Sequence, residues 1–225
     1  MHIYGVLLAG GQSSRMGQDK ALLSLNKEDS LLFLMYEKLN VVVCEHQAQR
    51  NAQEYMIVSL KKGDQTPKKH QLQAIFVEDL VDKKGPLGGL FSISECFKNT
   101  SFVEQGIWLL VVPVDMPFLS HELLSLLLHT AIASTPDCEA CVFENHEFPL
   151  CLKLNPHSIK VLAHTVNTQD APKSYASIRY LLSQLHTYTL KWTQDNSFIP
   201  LWLNINQPKD WAQAQDYYGR LGLKI

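Results

Sequence analysis

Residues 3–20 read IYGVLLAGGQSSRMGQDK, and this stretch decides the fold. Ile3–Ala9 is short, continuous and apolar, the pattern of a strand buried on both faces of a parallel sheet. It stops at Gly10 and Gly11, where the backbone can turn tightly and approach a ligand closely. Successive backbone N–H groups in such a loop form a concavity that binds anions. Ser13 and Ser14 add hydroxyl donors, Arg15 can grip a phosphate with two parallel hydrogen bonds, and Lys20 can sit on it as a point charge. A glycine pair alone reads as an ordinary strand-to-helix loop. The pair followed by an arginine and a lysine directly after a buried strand points to phosphate binding. Two familiar phosphate motifs are absent: Gly17 is followed by Gln18, so there is no GxxxxGK[ST], and there is no GxGxxG. A simple ATPase or a nicotinamide dehydrogenase is therefore disfavoured.

Working outward, strand-type runs alternate with helical periods. A helix begins near Asp29 or Ser30, either able to cap it, and places Leu31, Leu34, Met35 and Leu39 on one face. Val41–Glu54 reads as a long polar connection. Strands follow at Tyr55–Leu60 and Ala74–Val77, and a helix at Pro86–Phe97 has proline in its first turn. The strongest strand is Ile107–Val114, apolar throughout and ending at Asp115, with a helix capped by Ser120 after it. Ala140–Phe143 and Leu150–Leu154 read as a hairpin about Asn145–Glu147. Helices are expected over Pro156–His164, Ser177–Leu185 and from Asp210, and Thr165–Ser174 reads as an extended loop. The alternation predicts an α/β fold with a mainly parallel sheet. Ligands of such sheets bind at the carboxyl ends of the strands, so the residues after Ala9, Leu60, Val77 and Val114 are the ones to watch.

The 225 residues fit one large domain, long enough to bury a core without disulfides or structural metal. With 20 basic and 22 acidic residues the chain lacks the basic excess of a duplex-DNA binder, and no nucleic-acid partner is expected. No run approaches the ~20 apolar residues of a membrane span. The apolar N-terminal run lacks a basic flank before it, so it reads as a strand rather than a signal peptide, and a cytoplasmic location is expected. Cys138 and Cys141 form a lone CxxC with no second pair, which reads as two reduced thiols beside a strand rather than a zinc or redox site.

The stretch from Leu8 to Lys20, LAGGQSSRMGQDK, resembles the signature of the molybdenum cofactor guanylyltransferases. Three further segments resemble that family in the family's order: GPLGGL at 85–90, VPVDMPFL at 112–119 and NINQPKDW at 204–211. The resemblance implies a Rossmann-like, three-layer α/β/α nucleotidyltransferase fold, mainly parallel with a small antiparallel part. It implies one domain over 1–225, with 1–130 as the GTP-binding half and 131–225 as the molybdopterin-binding half. It implies transfer of GMP from GTP to molybdopterin carrying molybdenum, with release of pyrophosphate, and Mg²⁺ as cofactor. The product would pass to molybdenum enzymes or their chaperones.

Carried over residue by residue, the nucleotide contacts fall on Leu8, Ala9, Gly10, Gly11, Lys20, Asp79 and Asp115. Asp115 would also ligate Mg²⁺, and Arg15, Lys20 and Asp115 would form the catalytic set. Asn204 and Asn206 match positions near the pterin. An asparagine that the family carries after its second strand is missing near Ser59 and Leu60. Asp79 can accept from a guanine amino group or a ribose hydroxyl. Gly88 and Gly89 either provide amides at a helix start or permit close packing, and Trp192 and Trp202 are either core residues or pterin-stacking surfaces. The Gly10–Gly11 pair resembles the guanine-specific branch, with a cytidylyltransferase as the alternative within the class. A non-catalytic nucleotide-binding module is the alternative outside it.

Overall fold

The computed structural model describes residues 1–10, 20–25, 29–46, 55–64, 72–167, 177–193 and 200–221. One seven-stranded sheet runs through the molecule in the order β3-β2-β1-β4-β6-β5-β7. Its strands are β1 (His2–Leu8), β2 (Met56–Leu60), β3 (Ile75–Glu78), β4 (Ile107–Pro113), β5 (Ala140–Phe143), β6 (Leu150–Leu154) and β7 (Thr187–Leu190). β6 pairs antiparallel with both β4 and β5, while every other pairing is parallel. The expected parallel sheet with a small antiparallel part is what the chain forms.

The helices are α1 (Leu31–His46), α2 (Pro86–Phe97), α3 (Phe102–Gln105), α4 (His121–Ala133), α5 (Pro156–Asn167), α6 (Ile178–Ser183) and α7 (Pro208–Leu221). α1 packs on α4, and α2 packs on α5, so helices cover both faces of the sheet. Between them β1, β2 and β4 are apolar on both sides, with Val6, Leu7, Ile57, Val58 and Leu109–Val112 sealed from solvent. This is why these strands read as unbroken apolar runs rather than alternating ones.

The expected caps are in place. Ser30 Oγ accepts from Phe33 N at 3.2 Å and Ser120 Oγ accepts from Leu123 N at 3.2 Å. Asp115 is thus left without a capping duty.

The structure departs from the sequence reading at four places. Residues 41–46 are the last turns of α1, not part of a polar connection, because Val42 and Val43 continue the face of Leu39 and are fully buried; 47–54 lie outside the described residues. Thr165 and Val166 are buried in the last turn of α5 rather than in a loop, and 168–174 lie outside the described residues. α3 and β7 are additional elements. α7 starts at Pro208, two residues before Asp210. Asp210 instead sits in the first turn and reaches back, its Oδ2 accepting from the backbone N–H groups of Asn206 and Gln207 at 2.9 Å.

Candidate active site

After β1 the chain crosses to β2 and β3 on one side, then returns to lay β4 on the other side of β1. The crevice of such a sheet opens where the order reverses, at the carboxyl ends of β1 and β4. Leu8 and Pro113 stand opposite one another there. The hydrogen-bond pattern of the sheet continues one step past the strands. Ala9 N donates to Ser59 O at 2.9 Å, Asp79 N to Leu60 O at 2.9 Å, and Val114 N to Leu8 O at 3.1 Å. The segments leaving β1, β3 and β4 are therefore held in fixed register as they enter the cleft, whose volume is about 320 Å³. That is within the size range of small-molecule sites.

Gly10 lines this cleft, and a Cβ there would meet the backbone of Leu60 and Lys61 at 3.0–3.1 Å. Glycine lets the chain leaving β1 pass this close to the end of β2, where a larger residue would force the neighbouring backbone to give by a few tenths of an ångström. Gly89 is fixed by a second close approach: a Cβ would lie 2.5 Å from Ser59 Oγ. The amides of Gly88 and Gly89 both donate to Gly85 O within the first turn of α2. Close packing is thus the role these two glycines have, and their amides are already spent.

Lys20, Asp115 and Asn206 come together from three parts of the chain. Lys20 Nζ donates to Asp115 Oδ2 at 2.9 Å and to Asn206 Oδ1 at 2.7 Å. The side chains of Lys20 and Asp115 are only 14% and 17% exposed, so their charges interact through a medium far less screening than bulk water. The C-terminal segment is fastened to the same point, because Ile205 N donates to Asp115 O at 2.9 Å. Asn204 lines the cleft beside them.

Opposite this cluster stands Asp79, half-buried at the end of β3. Burial pushes its carboxyl up to about 6, and the hydroxyl of Ser59, donating to Asp79 Oδ1 at 3.4 Å, works in the other direction. Ser59 is a site residue that the sequence reading noted only as the place of a missing asparagine. Its signal was a lone hydroxyl at the end of the otherwise apolar β2. Phe148 also lines the cleft and carried no signal at all. Gly11 and Arg15 lie outside the described residues.

The donors around Asp115 are hard oxygens, and no group of three or more His, Cys, Asp or Glu side chains gathers anywhere among the described residues. A Mg²⁺ ion takes one or two carboxylates and fills its remaining positions with substrate phosphate oxygens and water. One carboxylate lining an open cleft fits that habit, whereas a closed protein cage would not.

Trp192 and Trp202 both pack edge-on against the buried Phe143, at 5.9 and 5.3 Å between ring centres, and neither lines the cleft. Packing is their role in the described structure, with His146 stacked on Trp202 at 3.7 Å. Cys138, Cys141 and Cys151 are buried, and none of the five cysteines forms a disulfide. Burial pushes the Cys141 thiol up to about 12, which keeps it protonated and inert.

Residues 5–187 match the family model described as a MobA-like NTP transferase domain. A molybdenum cofactor guanylyltransferase of Xanthomonas euvesicatoria pv. vesicatoria is 31% identical over 210 residues, covering 93% of this chain and 92% of the relative. The crystal structure of molybdopterin-guanine dinucleotide biosynthesis protein A from Archaeoglobus fulgidus superposes with a TM-score of 0.68 at 20% identity, covering 96% of this chain and 99% of the other. A Mycobacterium tuberculosis protein solved in complex with manganese superposes with a TM-score of 0.59 at 16% identity, covering 96% and 99%.

Proposed function

The chain belongs to the MobA-like NTP transferase family, and from that premise we propose that it transfers GMP from GTP to the terminal phosphate of molybdenum-bearing molybdopterin, forming the guanine dinucleotide cofactor and pyrophosphate. The observation that carries this reading is the cluster of Lys20, Asp115 and Asn206 at the crevice between β1 and β4. In our reading the chain acts as one domain, with residues 1–130 holding GTP and 131–225 holding molybdopterin. The reaction would run in the cytoplasm, and molybdenum enzymes or their chaperones would take the product.

The acceptor phosphate is a monoester whose second pKa is near 6, so at pH 7 it is already mostly a dianion and a nucleophile. One of its oxygens attacks the α-phosphorus of GTP, and the bond from that phosphorus to the β-phosphate bridging oxygen breaks. Pyrophosphate leaves with the electron pair. No proton need be removed from the attacking oxygen, and among the described residues no histidine or cysteine lines the cleft. The barrier is charge repulsion and alignment, which positioning and electrostatic stabilisation lower.

Asp115 would hold Mg²⁺, which supplies Lewis-acid neutralisation of the phosphate oxygens when bound. Lys20 carries a second positive charge to the phosphates from its place between Asp115 and Asn206. Leu8, Ala9 and Gly10, with Gly11 and Arg15 beyond the described residues, would line the nucleotide, and Asn204 and Asn206 the pterin side. Asp79 offers acceptor oxygens to the guanine amino group.

The state of Asp79 makes a pH prediction. Its carboxyl titrates near 6 in the folded chain, so GTP affinity should fall as pH drops through 6 and the acceptor is lost. Asp79→Asn should weaken GTP binding about 10–100-fold, the loss expected for a charged hydrogen bond, and flatten this pH dependence. The same variant should be more stable at pH 7.5. A raised carboxyl pKa means the folded state keeps a proton that the unfolded chain releases, so stability is lost as pH rises between about 4 and 6. Asparagine removes that loss, by about 1–2 kcal/mol once partial exposure is allowed for. Titrations of GTP and CTP across pH 5–8, with melting curves, read both effects. Equal weakening for GTP and CTP would assign Asp79 to the ribose instead.

Thermal unfolding with each of GTP, CTP, ATP and UTP, with and without Mg²⁺, tests the nucleotide reading. A ligand at 100 times its Kd should stabilise the fold by about 2.7 kcal/mol, several degrees at this size. A Mg²⁺-enhanced shift with GTP alone is expected. A shift with CTP instead would point to cytidylyl transfer, and none with any nucleotide to a non-catalytic module.

A further inference from the structure

The segment that follows Asp115 crosses from β4 to α4 and is gripped from the side by α1. Lys38, on α1, sends its Nζ to Pro117 O at 2.7 Å and to Leu119 O at 3.4 Å. Neither acceptor carries a charge, and among the described residues no carboxylate is recorded as a partner of this amine. Burial alone pushes its pKa down to about 8. An ammonium held this way carries a desolvation cost that an apolar side chain would not. The neighbours of Lys38 on the same helix, Leu34, Met35 and Leu39, are apolar and buried, so its amine stands at the edge of the core.

What Lys38 holds explains its presence. Pro117 has no N–H, and the side chains of Met116, Phe118 and Leu119 are buried. Leu119 N donates back to Met116 O at 3.3 Å, and Asp115 O accepts from Ile205 N at 2.9 Å, so what meets the Pro117 and Leu119 carbonyls completes the path of this segment. The far end of the segment is fixed as β4 leaves the sheet, where Val114 N donates to Leu8 O at 3.1 Å. Asp115 lies between that anchor and the lysine, with its side chain in the cleft.

We infer that Lys38 is a positioning residue for the reaction: by fastening the Pro117 and Leu119 carbonyls to α1, it sets where the Asp115 carboxylate stands. The inference rests on the reading of Asp115 as the Mg²⁺ ligand. Lys38 touches neither nucleotide nor metal; it acts through the backbone. Catalysis that depends on alignment is sensitive to small displacements, with a 1 Å misplacement able to lower rate about 100-fold.

The test is a Mg²⁺ titration of the GTP-induced thermal shift, run on the wild type, Lys38→Met and Asp115→Asn. For Lys38→Met we expect a melting temperature within a few degrees of the wild type, since relief of a half-buried charge offsets the loss of the donor to the Pro117 and Leu119 carbonyls. Half-saturating Mg²⁺ should rise at least tenfold, while the shift given by GTP without Mg²⁺ stays the same. A purely structural lysine would move the melting temperature and leave the Mg²⁺ midpoint alone. If Lys38→Met does not fold, Lys38→Arg keeps the charge and the donors but changes their reach; it should fold and shift the midpoint in the same direction. A Mg²⁺ midpoint that rises less than tenfold in whichever variant folds overturns the inference, and an Asp115→Asn that responds to Mg²⁺ as the wild type does overturns the reading of Asp115 and the inference with it. A wild type with no Mg²⁺ response overturns both this inference and the reading of Asp115.

Discussion

Turnover of Asp115→Asn is expected to fall about 1,000-fold, equivalent to about 4 kcal/mol of transition-state stabilisation, in a protein that remains folded. Loss of the negative charge removes the carboxylate that, in our reading, would hold a hard cation at the phosphates beside Lys20. The fold survives for two reasons that are visible locally. The asparagine keeps a side-chain oxygen where Oδ2 now accepts from Lys20 Nζ at 2.9 Å. The backbone carbonyl of residue 115 still accepts from Ile205 N, so the C-terminal segment stays docked. GTP should bind this variant as well without Mg²⁺ as with it. Steady-state turnover and a melting curve check both statements together. A variant that keeps a tenth or more of wild-type turnover would remove Asp115 from the metal site.

Lys20→Met should also lose about 100–1,000-fold in turnover, the usual consequence of deleting one preorganised donor at a developing charge. Its second effect distinguishes it from Asp115→Asn. Without the ammonium, Asp115 is left in a partly enclosed place without this counter-charge, and Asn206 Oδ1 loses its donor. Removing the partner of a charged hydrogen bond costs about 1–3 kcal/mol, so the free protein should melt several degrees lower. The two variants share one interaction. The stability of the double variant should therefore be higher than the sum of the single losses predicts. Lys20→Arg is not a neutral control, because a planar fork cannot take the place of a compact ammonium between two acceptors. Melting curves of the four proteins, with turnover of each, read out the coupling. Additive losses would mean that Lys20 and Asp115 do not depend on one another.

The parts of this fold that could be read from the sequence are those whose physics is local. β1 and β4 are buried on both faces and so appear as unbroken apolar runs. α2 announces itself with a proline in its first turn, and α4 with a capping serine. β7 could not be found in this way. It is an edge strand of four residues, Thr187–Leu190, with only Leu190 buried, so its apolar pattern is too weak to stand out. α3 is a single turn and has no period to detect. The end of α1 was hidden by Val41–Val43, a β-branched run that disfavours helix in isolation; burial of Val42 and Val43 outweighs that preference.

The site shows the same division. Resemblance to a family brought out Lys20, Asp79, Asp115, Asn204 and Asn206, and all five line one cleft. The sequence held no sign that Lys20 would pair with Asp115, 95 residues away, and with Asn206, 186 residues away. Such contacts are made by the sheet order, which brings β1 and β4 together. Ser59 and Lys38 were missed for a related reason. A hydroxyl behind a carboxylate and an amine under a loop act only through what the fold sets against them.

Product analysis after incubation with GTP, Mg²⁺ and molybdenum-bearing molybdopterin tests the central claim most directly. Pyrophosphate and the guanine dinucleotide cofactor should appear in equal amounts with GTP, and CTP should yield neither. Pyrophosphate released with CTP in place of GTP, or no product with either nucleotide, would contradict the account.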